Sequence, residues 1–270
     1  MNKATSTARI AERFRQLRER GEGALIAYLM AGDPTPSKSL EYMHAVVEGG
    51  ADLIELGIPF SDPVADGPTI QAAGQRALRS GTTPERVFVL TEELRRWTEV
   101  PLILMGYYNP ISRMGEAAFL ERAAAAGADG LIVPDLPPEE AGPLREAAGS
   151  HGIALVLLAT PESGDGRIER IARETSGFLY LVARYGTTGA KEELAAETAP
   201  LIRKVRSLIP KGLPLAVGFG LARPEHIRAV ILAGADGAVV GSRLVAEVAR
   251  GTAPEALAKL VRALKEGTRL

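Results

Sequence analysis

Three short stretches share one shape: Gly49-Gly50-Ala51-Asp52-Leu53-Ile54, Ala126-Gly127-Ala128-Asp129-Gly130-Leu131 and Ala233-Gly234-Ala235-Asp236-Gly237-Ala238. In each, a helically spaced segment runs into a glycine, and an apolar run suited to a strand begins within a few residues. Glycine accepts the left-handed backbone that ends helices, so each stretch reads as the joint between a helix and the next strand. A joint used three times implies repeated strand–helix units. Working outward, strand-like runs recur at 25–30, 53–58, 102–107, 130–133, 154–158, 178–182, 215–217 and 238–240. Between them lie stretches with helical spacing, among them 37–48, 117–126, 139–148, 168–174, 200–208 and 224–232. About eight strands, each followed by a helix, predict an α/β chain folded as a closed parallel (β/α)8 TIM barrel. The turn after the first strand, Met30-Ala31-Gly32-Asp33-Pro34, lacks the Gly-rich fingerprint of a dinucleotide-binding sheet. No linker divides the chain, so 1–270 is expected to be a single domain, with an extra N-terminal helix over 5–20 plugging the lower end and a final helix over 253–267.

Composition narrows the function classes. The net charge is -1, with 32 basic and 33 acidic side chains. Nucleic-acid and membrane-surface binders need a clustered basic excess, which this balance does not supply. Cysteine is absent, which removes disulfides, thiolate metal ligands and a Cys nucleophile. The first 20 residues are polar and charged and carry no apolar signal core, and no apolar run reaches the ~20 residues of a membrane span. The expectation is a soluble, cytoplasmic protein.

Barrel enzymes build their sites where strands end and loops begin. None of the three histidines (His44, His151, His226) falls at such a position, which disfavours a His-ligated metal or a His base. The lysines avoid strand ends too, with only Lys191 in a long loop, which disfavours a Schiff base. Carboxylates and tyrosines remain. Glu55 stands near the end of the otherwise apolar strand Leu53-Ile54-Glu55-Leu56-Gly57-Ile58. A buried carboxylate is paired, protonated or held for function, and position alone does not choose among these. Burial would raise its pKa, as suits a group that both gives and takes protons near neutrality. The following loop carries Asp62 and Asp66, which the residues alone leave as equal candidates. At the far end, Gly218-Phe219-Gly220 follows strand seven and Gly241-Ser242 opens a helix after strand eight, the places where barrels bind phosphate on backbone N–H groups. Gly186-Thr187-Thr188-Gly189 can complete that cradle and serve as a lid.

The stretch Glu55-Leu56-Gly57-Ile58-Pro59-Phe60-Ser61-Asp62-Pro63-Val64-Ala65-Asp66-Gly67-Pro68-Thr69-Ile70-Gln71 closely resembles the signature of the tryptophan synthase alpha subunit family. Met30 to Pro34, Met105 to Pro110, Val133 to Pro137, Thr188-Gly189-Ala190 and Gly218-Phe219-Gly220 match further motifs in the same order. The resemblance implies a lyase of tryptophan biosynthesis that splits indole-3-glycerol phosphate into indole and glyceraldehyde 3-phosphate, a retro-aldol-type cleavage with no cofactor and no metal. It implies that Glu55 protonates indole C3 and acts on the glycerol hydroxyl, that Asp66 binds the indole N–H, and that Tyr180 is an active-site tyrosine. It places Thr188, Gly189, Phe219, Gly220, Gly241 and Ser242 around the phosphate, and Tyr28, Met105, Ile132 and Leu158 around the indole. It also implies a pyridoxal-phosphate-dependent beta subunit as partner in an alpha2beta2 heterotetramer, docked at the barrel mouth on Asp62, Pro63, Asn109, Asp135 and Pro137. The chain departs from the family's usual pattern at Tyr185 and Thr187 and over 160–166.

Three other readings compete. A stand-alone indole-releasing lyase would work without the partner. Another phosphate-binding barrel, such as an indole-glycerol-phosphate synthase or a sugar-phosphate epimerase, would need a lysine or a metal site. A catalytically idle barrel would only bind or activate a partner enzyme.

Overall fold

The computed structural model describes residues 6–183, 197–218 and 220–270, and over these the expected alternation of strands and helices is present. The strands are β1 (Ala24–Met30), β2 (Leu53–Gly57), β3 (Leu102–Met105), β4 (Gly130–Ile132), β5 (Ala154–Val156), β6 (Leu158–Ala159), β7 (Leu179–Val182), β8 (Leu215–Gly218) and β9 (Gly237–Val240). Neighbours pair in parallel in the order β5-β4-β3-β2-β1-β9-β8-β7-β6. β5 and β6 are halves of one strand that bends at Leu157: the first half pairs with β4, the second with β7. The Tyr180 N–H donates to the Leu157 carbonyl at 3.2 Å, which carries the pairing across the bend. The sheet thereby closes into a barrel of eight strand positions.

Side chains alternate across each strand and divide the core in two. Leu25, Ala27 and Leu29 of β1, with Ile54 and Leu56 of β2, face the surrounding helices. Ile26 and Leu53 face the barrel axis, where they meet Ile103, Ile132, Val156, Phe178 and Val239. The floor of this inner core is the expected N-terminal helix α1 (Ser6–Glu19), which inserts Ile10, Phe14 and Leu17. The ring centroids of Phe14 and Phe178 lie 5.9 Å apart. The region after β2 holds two helices, α2 having preceded it at Pro36–Glu48: α3 (Pro68–Arg79) and α4 (Pro84–Arg95), each opened by a proline whose missing N–H costs nothing there. The helix expected over 139–148 begins only at Gly142, because the prolines 137 and 138 lead into a turn in which the Glu140 N–H donates to the Pro137 carbonyl at 3.0 Å.

The three repeated joints do the same work at the lower end. Gly50, Gly127 and Gly234 have φ of 95°, 86° and 111°, the left-handed region that favours glycine. The next residue's N–H reaches back to close each helix: Ala51 to Val46, Ala128 to Ala123 and Ala235 to Val230. Each aspartate then grips the first residues of the neighbouring strand twice. The N–H groups of Asp52, Asp129 and Asp236 donate to the carbonyls of Leu25, Leu102 and Leu215 at 2.8, 2.7 and 2.8 Å. Their carboxylates accept the N–H groups of the same three leucines at 2.8, 2.9 and 2.8 Å. A cation answers each charge: Lys265 on Asp52, Arg9 and Arg95 on Asp129, and Arg206 on Asp236. Since a slip of one residue would turn every side chain to the other face, these bonds fix which residues point at the axis. Asp129, fully buried between two guanidinium groups, is the tightest of the three. Asp129→Ala would strand both arginines and one N–H, and should lower unfolding free energy by ~3–5 kcal/mol in a urea titration; a loss below about 1 kcal/mol would contradict this role.

Candidate active site

Glu55 lies on the axis-facing side of β2, between Leu53 and Gly57. It is 1% exposed, and among the described residues neither carboxylate oxygen has a hydrogen-bond partner. Burial pushes its pKa up to about 8, with no charged neighbour needed to explain the shift. The group is therefore neutral at pH 7 and close to titrating. Two tyrosines stand beside it. Tyr28 is its direct neighbour across the β1–β2 pairing, and Tyr180 comes from β7 on the far side. Burial raises both phenols well above their ordinary pKa, so both stay protonated. Each ring needs a glycine beside it: a Cβ on Gly57 would lie 2.2 Å from the Tyr28 hydroxyl oxygen, and one on Gly218 would lie 2.3 Å from that of Tyr180.

The loop between β2 and α3 separates the two aspartates that the residues alone left equal. Asp66 lines the central cavity, whereas Asp62 is exposed and bonded to Ser61. Asp66 is held by Tyr107, which follows β3. The Tyr107 hydroxyl donates to the Asp66 carboxylate and accepts the Ala65 N–H at 3.0 Å, while its ring packs on Phe60 with centroids 5.4 Å apart. Partial burial raises the Asp66 pKa, and the bond from Tyr107 opposes that rise by favouring the anion. Tyr107 is the group that sequence reading missed. Its signal was available, an aromatic polar residue just past the end of a strand, but its partner lies 41 residues away in sequence and only the fold joins them.

These groups open on one cavity of about 770 Å³ at the C-terminal mouth of the barrel, within the usual range for small-molecule sites. Of the expected site residues, Tyr28, Glu55, Asp66, Met105, Leu158, Tyr180, Gly220, Gly241 and Ser242 line it. Ile132 does not. It is fully buried in the inner core below the cavity, because β4 ends at that residue and its side chain points down the axis rather than out of the mouth. Pro134, Leu136, Leu157, Val182 and Val239 supply the apolar wall in its place. Thr188, Gly189 and Phe219 lie outside the described residues, as does the lid expected around 186–189. At the phosphate end, Gly220 has φ of 79°, which requires glycine, whereas a Cβ on Gly241 would make only ordinary 3.4 Å contact with Tyr28. Gly241 and Ser242 begin the helix Ser242–Ala249, whose N-terminus faces the cavity. Among the described residues no cluster of His, Asp and Glu is placed to hold a metal. Asp135, at the rim, accepts the Tyr108 N–H at 2.9 Å and so ties the loop after β4 to the one after β3.

Comparison with known proteins decides the family. The sequence model of the tryptophan synthase alpha chain matches residues 14–269. The alpha chain of Methanosarcina mazei is 50% identical over 260 residues, covering 96% of this chain and 94% of that one. This chain belongs to the tryptophan synthase alpha chain family. The alpha chain of Carboxydothermus hydrogenoformans is 49% identical over 238 residues, 88% of each chain. A solved tryptophan synthase a2b2 complex from Pyrococcus furiosus contains a chain that superposes with a TM-score of 0.84 at 43% identity, covering 91% of this chain and 98% of that one. The barrel and the family that the sequence predicted are thus both present.

The hold of Tyr107 on the Asp66 loop is open to a direct check. In Tyr107→Phe the Ala65 N–H loses its acceptor, a bond worth about 1 kcal/mol. Amide exchange at Ala65 should quicken at least fivefold, with the barrel strands unchanged. Equal exchange in variant and wild type would show that the loop is held by something else.

Proposed function

We propose that Glu55 and Asp66 divide between them the cleavage of indole-3-glycerol phosphate to indole and glyceraldehyde 3-phosphate, the alpha reaction of this family. The observation that carries the reading is a neutral, unpartnered carboxyl beside an apolar cavity, faced by a second carboxylate held in place by a tyrosine. The indole ring occupies the apolar wall and its N–H donates to Asp66. Glu55 transfers its proton to C3, which leaves a Glu55 carboxylate and a cationic ring that the Asp66 charge stabilises. The carboxylate then takes the proton of the adjacent glycerol hydroxyl. The C–C bond breaks, its electron pair returns to the ring to form indole, and the hydroxyl carbon becomes the aldehyde. Glu55 ends protonated, ready for the next turnover. Tyr180 flanks Glu55 across the cavity. Gly220, Gly241 and Ser242, with Thr188, Gly189 and Phe219, hold the phosphate on backbone N–H groups, aided by the dipole of the Ser242–Ala249 helix.

The partner is a tryptophan synthase beta subunit, and indole is the natural thing to pass to it, since a small apolar product would otherwise escape. The barrel mouth suits such docking: Val64, at the tip of the loop that carries Asp66, is 83% exposed. Asp62, Pro63, Asn109, Asp135 and Pro137 surround it as the proposed contact surface, with Asp135 also accepting the Tyr108 N–H. We place the protein in the cytoplasm as one domain over 1–270. In support of the first, no helix among the described residues is long and apolar enough to cross a membrane.

Two outcomes are expected in an indole-release assay. Glu55→Gln cannot cycle a proton, so turnover should fall by ~10²-fold or more with substrate binding retained; near-normal turnover would sink the assignment. In the wild type the reaction starts from protonated Glu55, whose pKa is about 8. kcat/KM should therefore be level through neutrality and decline as pH rises past about 8, and a profile that instead rises there would reverse the order of the two proton transfers.

A further inference from the structure

Tyr28 was expected to be a wall of the indole pocket, and its ring does pack among Met30, Ile70, Ala73, Ala77 and Val245. A phenylalanine would pack there as well, so the hydroxyl calls for a separate explanation. Its position is fixed by two observations. Tyr28 and Glu55 are Cα partners across β1 and β2, on the axis-facing side of both strands. The ring then rises along β2, so that its hydroxyl takes the space a Cβ on Gly57 would fill. Gly57 is two residues beyond Glu55 on the same face, and the loop carrying Asp66 follows it. The hydroxyl therefore lies beyond Glu55 toward the loop that carries Asp66, and both carboxylates bear on it electrostatically.

The proposed reaction gives that hydroxyl a task. Between the two proton transfers Glu55 must exist as an anion, and among the described residues neither of its oxygens has a donor. A buried, unsolvated carboxylate is costly unless a donor reaches it. Few groups around the cavity can serve. The Tyr107 hydroxyl already donates to Asp66, and Arg167 at the rim is bonded to Glu139 at 2.8 Å. Asp66 and Asp135 are acceptors, and Asp135 already receives the Tyr108 N–H. β3, β8 and β9 present Met105, Gly220, Val239, Gly241 and Ser242, of which only Ser242 carries a side-chain donor, and it stands at the phosphate end. Thr160 and Ser163 follow β6 at the wall, where their hydroxyls lie 3.5 Å from each other. Among the described residues the phenols of Tyr28 and Tyr180 remain, and Tyr28 stands next to Glu55 in the sheet.

We propose that the Tyr28 hydroxyl is the donor that stabilises ionised Glu55 between the two proton transfers, which makes Tyr28 a positioning residue for that carboxylate. The inference rests on the reaction assigned above, and it adds a polar role to a residue otherwise read as apolar lining.

The test is Tyr28→Phe in the full chain, assayed for indole release beside the wild type over pH 6 to 10. Loss of a hydrogen bond to a charged group should lower kcat at least tenfold while KM stays within about twofold, since the ring that packs in the pocket is kept. With its donor gone Glu55 holds its proton more tightly, so the alkaline limb of kcat/KM should move to higher pH by about half a unit or more. A purely structural role would lower the unfolding midpoint without moving that limb. Should Tyr28→Phe not fold, Gly57→Ala replaces it, because its Cβ displaces the hydroxyl without deleting it, and the same loss and shift are expected. A kcat within twofold of wild type with the limb unmoved overturns the inference and leaves the assigned reaction standing. A wild type that releases no indole overturns both.

Discussion

A carboxyl group without a partner, fully enclosed at the end of a strand, is the constraint around which the upper half of this barrel is arranged. Water would stabilise ionised Glu55 and return its pKa to the ordinary range, so the wall around it is apolar: Met105, Leu157, Leu158, Val182 and Val239. Large polar neighbours with charge of their own would fix it in one protonation state. The groups that flank it are instead phenols, which stay neutral and can donate a hydrogen bond without imposing a charge. Room for those two rings is made by Gly57 and Gly218, one on each neighbouring strand. The glycines, the tyrosines and the apolar wall are thus consequences of keeping one proton available near neutral pH.

The lower end of the barrel solves the opposite problem with the same chemical group. Asp52, Asp129 and Asp236 are carboxylates at the starts of strands, and each is given an N–H donor and at least one cation. Satisfied in this way they lock strand register, and that register sets Glu55 beside Tyr28 at the other end. The molecule is therefore polarised along its axis. Carboxyl groups are paired with cations where the fold is held together and left without one where chemistry takes place, in keeping with the division of labour between the two faces of such barrels.

How much of this was readable from the sequence depended on how local each signal was. The helix-to-strand joints were legible because glycine, a small residue and aspartate recur at fixed spacing, and the structure explains the repeat: the glycine supplies the φ, the aspartate the register. Glu55 was legible because one acid interrupts an apolar strand. The residues alone could not separate Asp66 from Asp62, and only the family resemblance did, since what distinguishes them physically is Tyr107, brought from the next strand by the fold. Ile132 was placed in the pocket because it ends a strand, but β4 is only three residues long and its last side chain still faces the core. The bend at Leu157 left no mark, because an unbroken apolar run describes a straight strand and a bent one equally well. The hydroxyl of Tyr28 was invisible for a related reason, as tyrosine among apolar residues reads as core until its neighbour across the sheet is known.

The protonation of Glu55 at neutral pH follows from its burial without a partner among the described residues. It can be measured without substrate or partner subunit by titrating the carboxyl signals of protein carrying 13C-labelled glutamate, with Glu55→Gln identifying the resonance. A midpoint near 8 is expected for the signal that disappears in the variant. A midpoint near 4.5, the ordinary glutamate value, would mean that Glu55 is ionised throughout the working range, and the proton it is said to give would not be there.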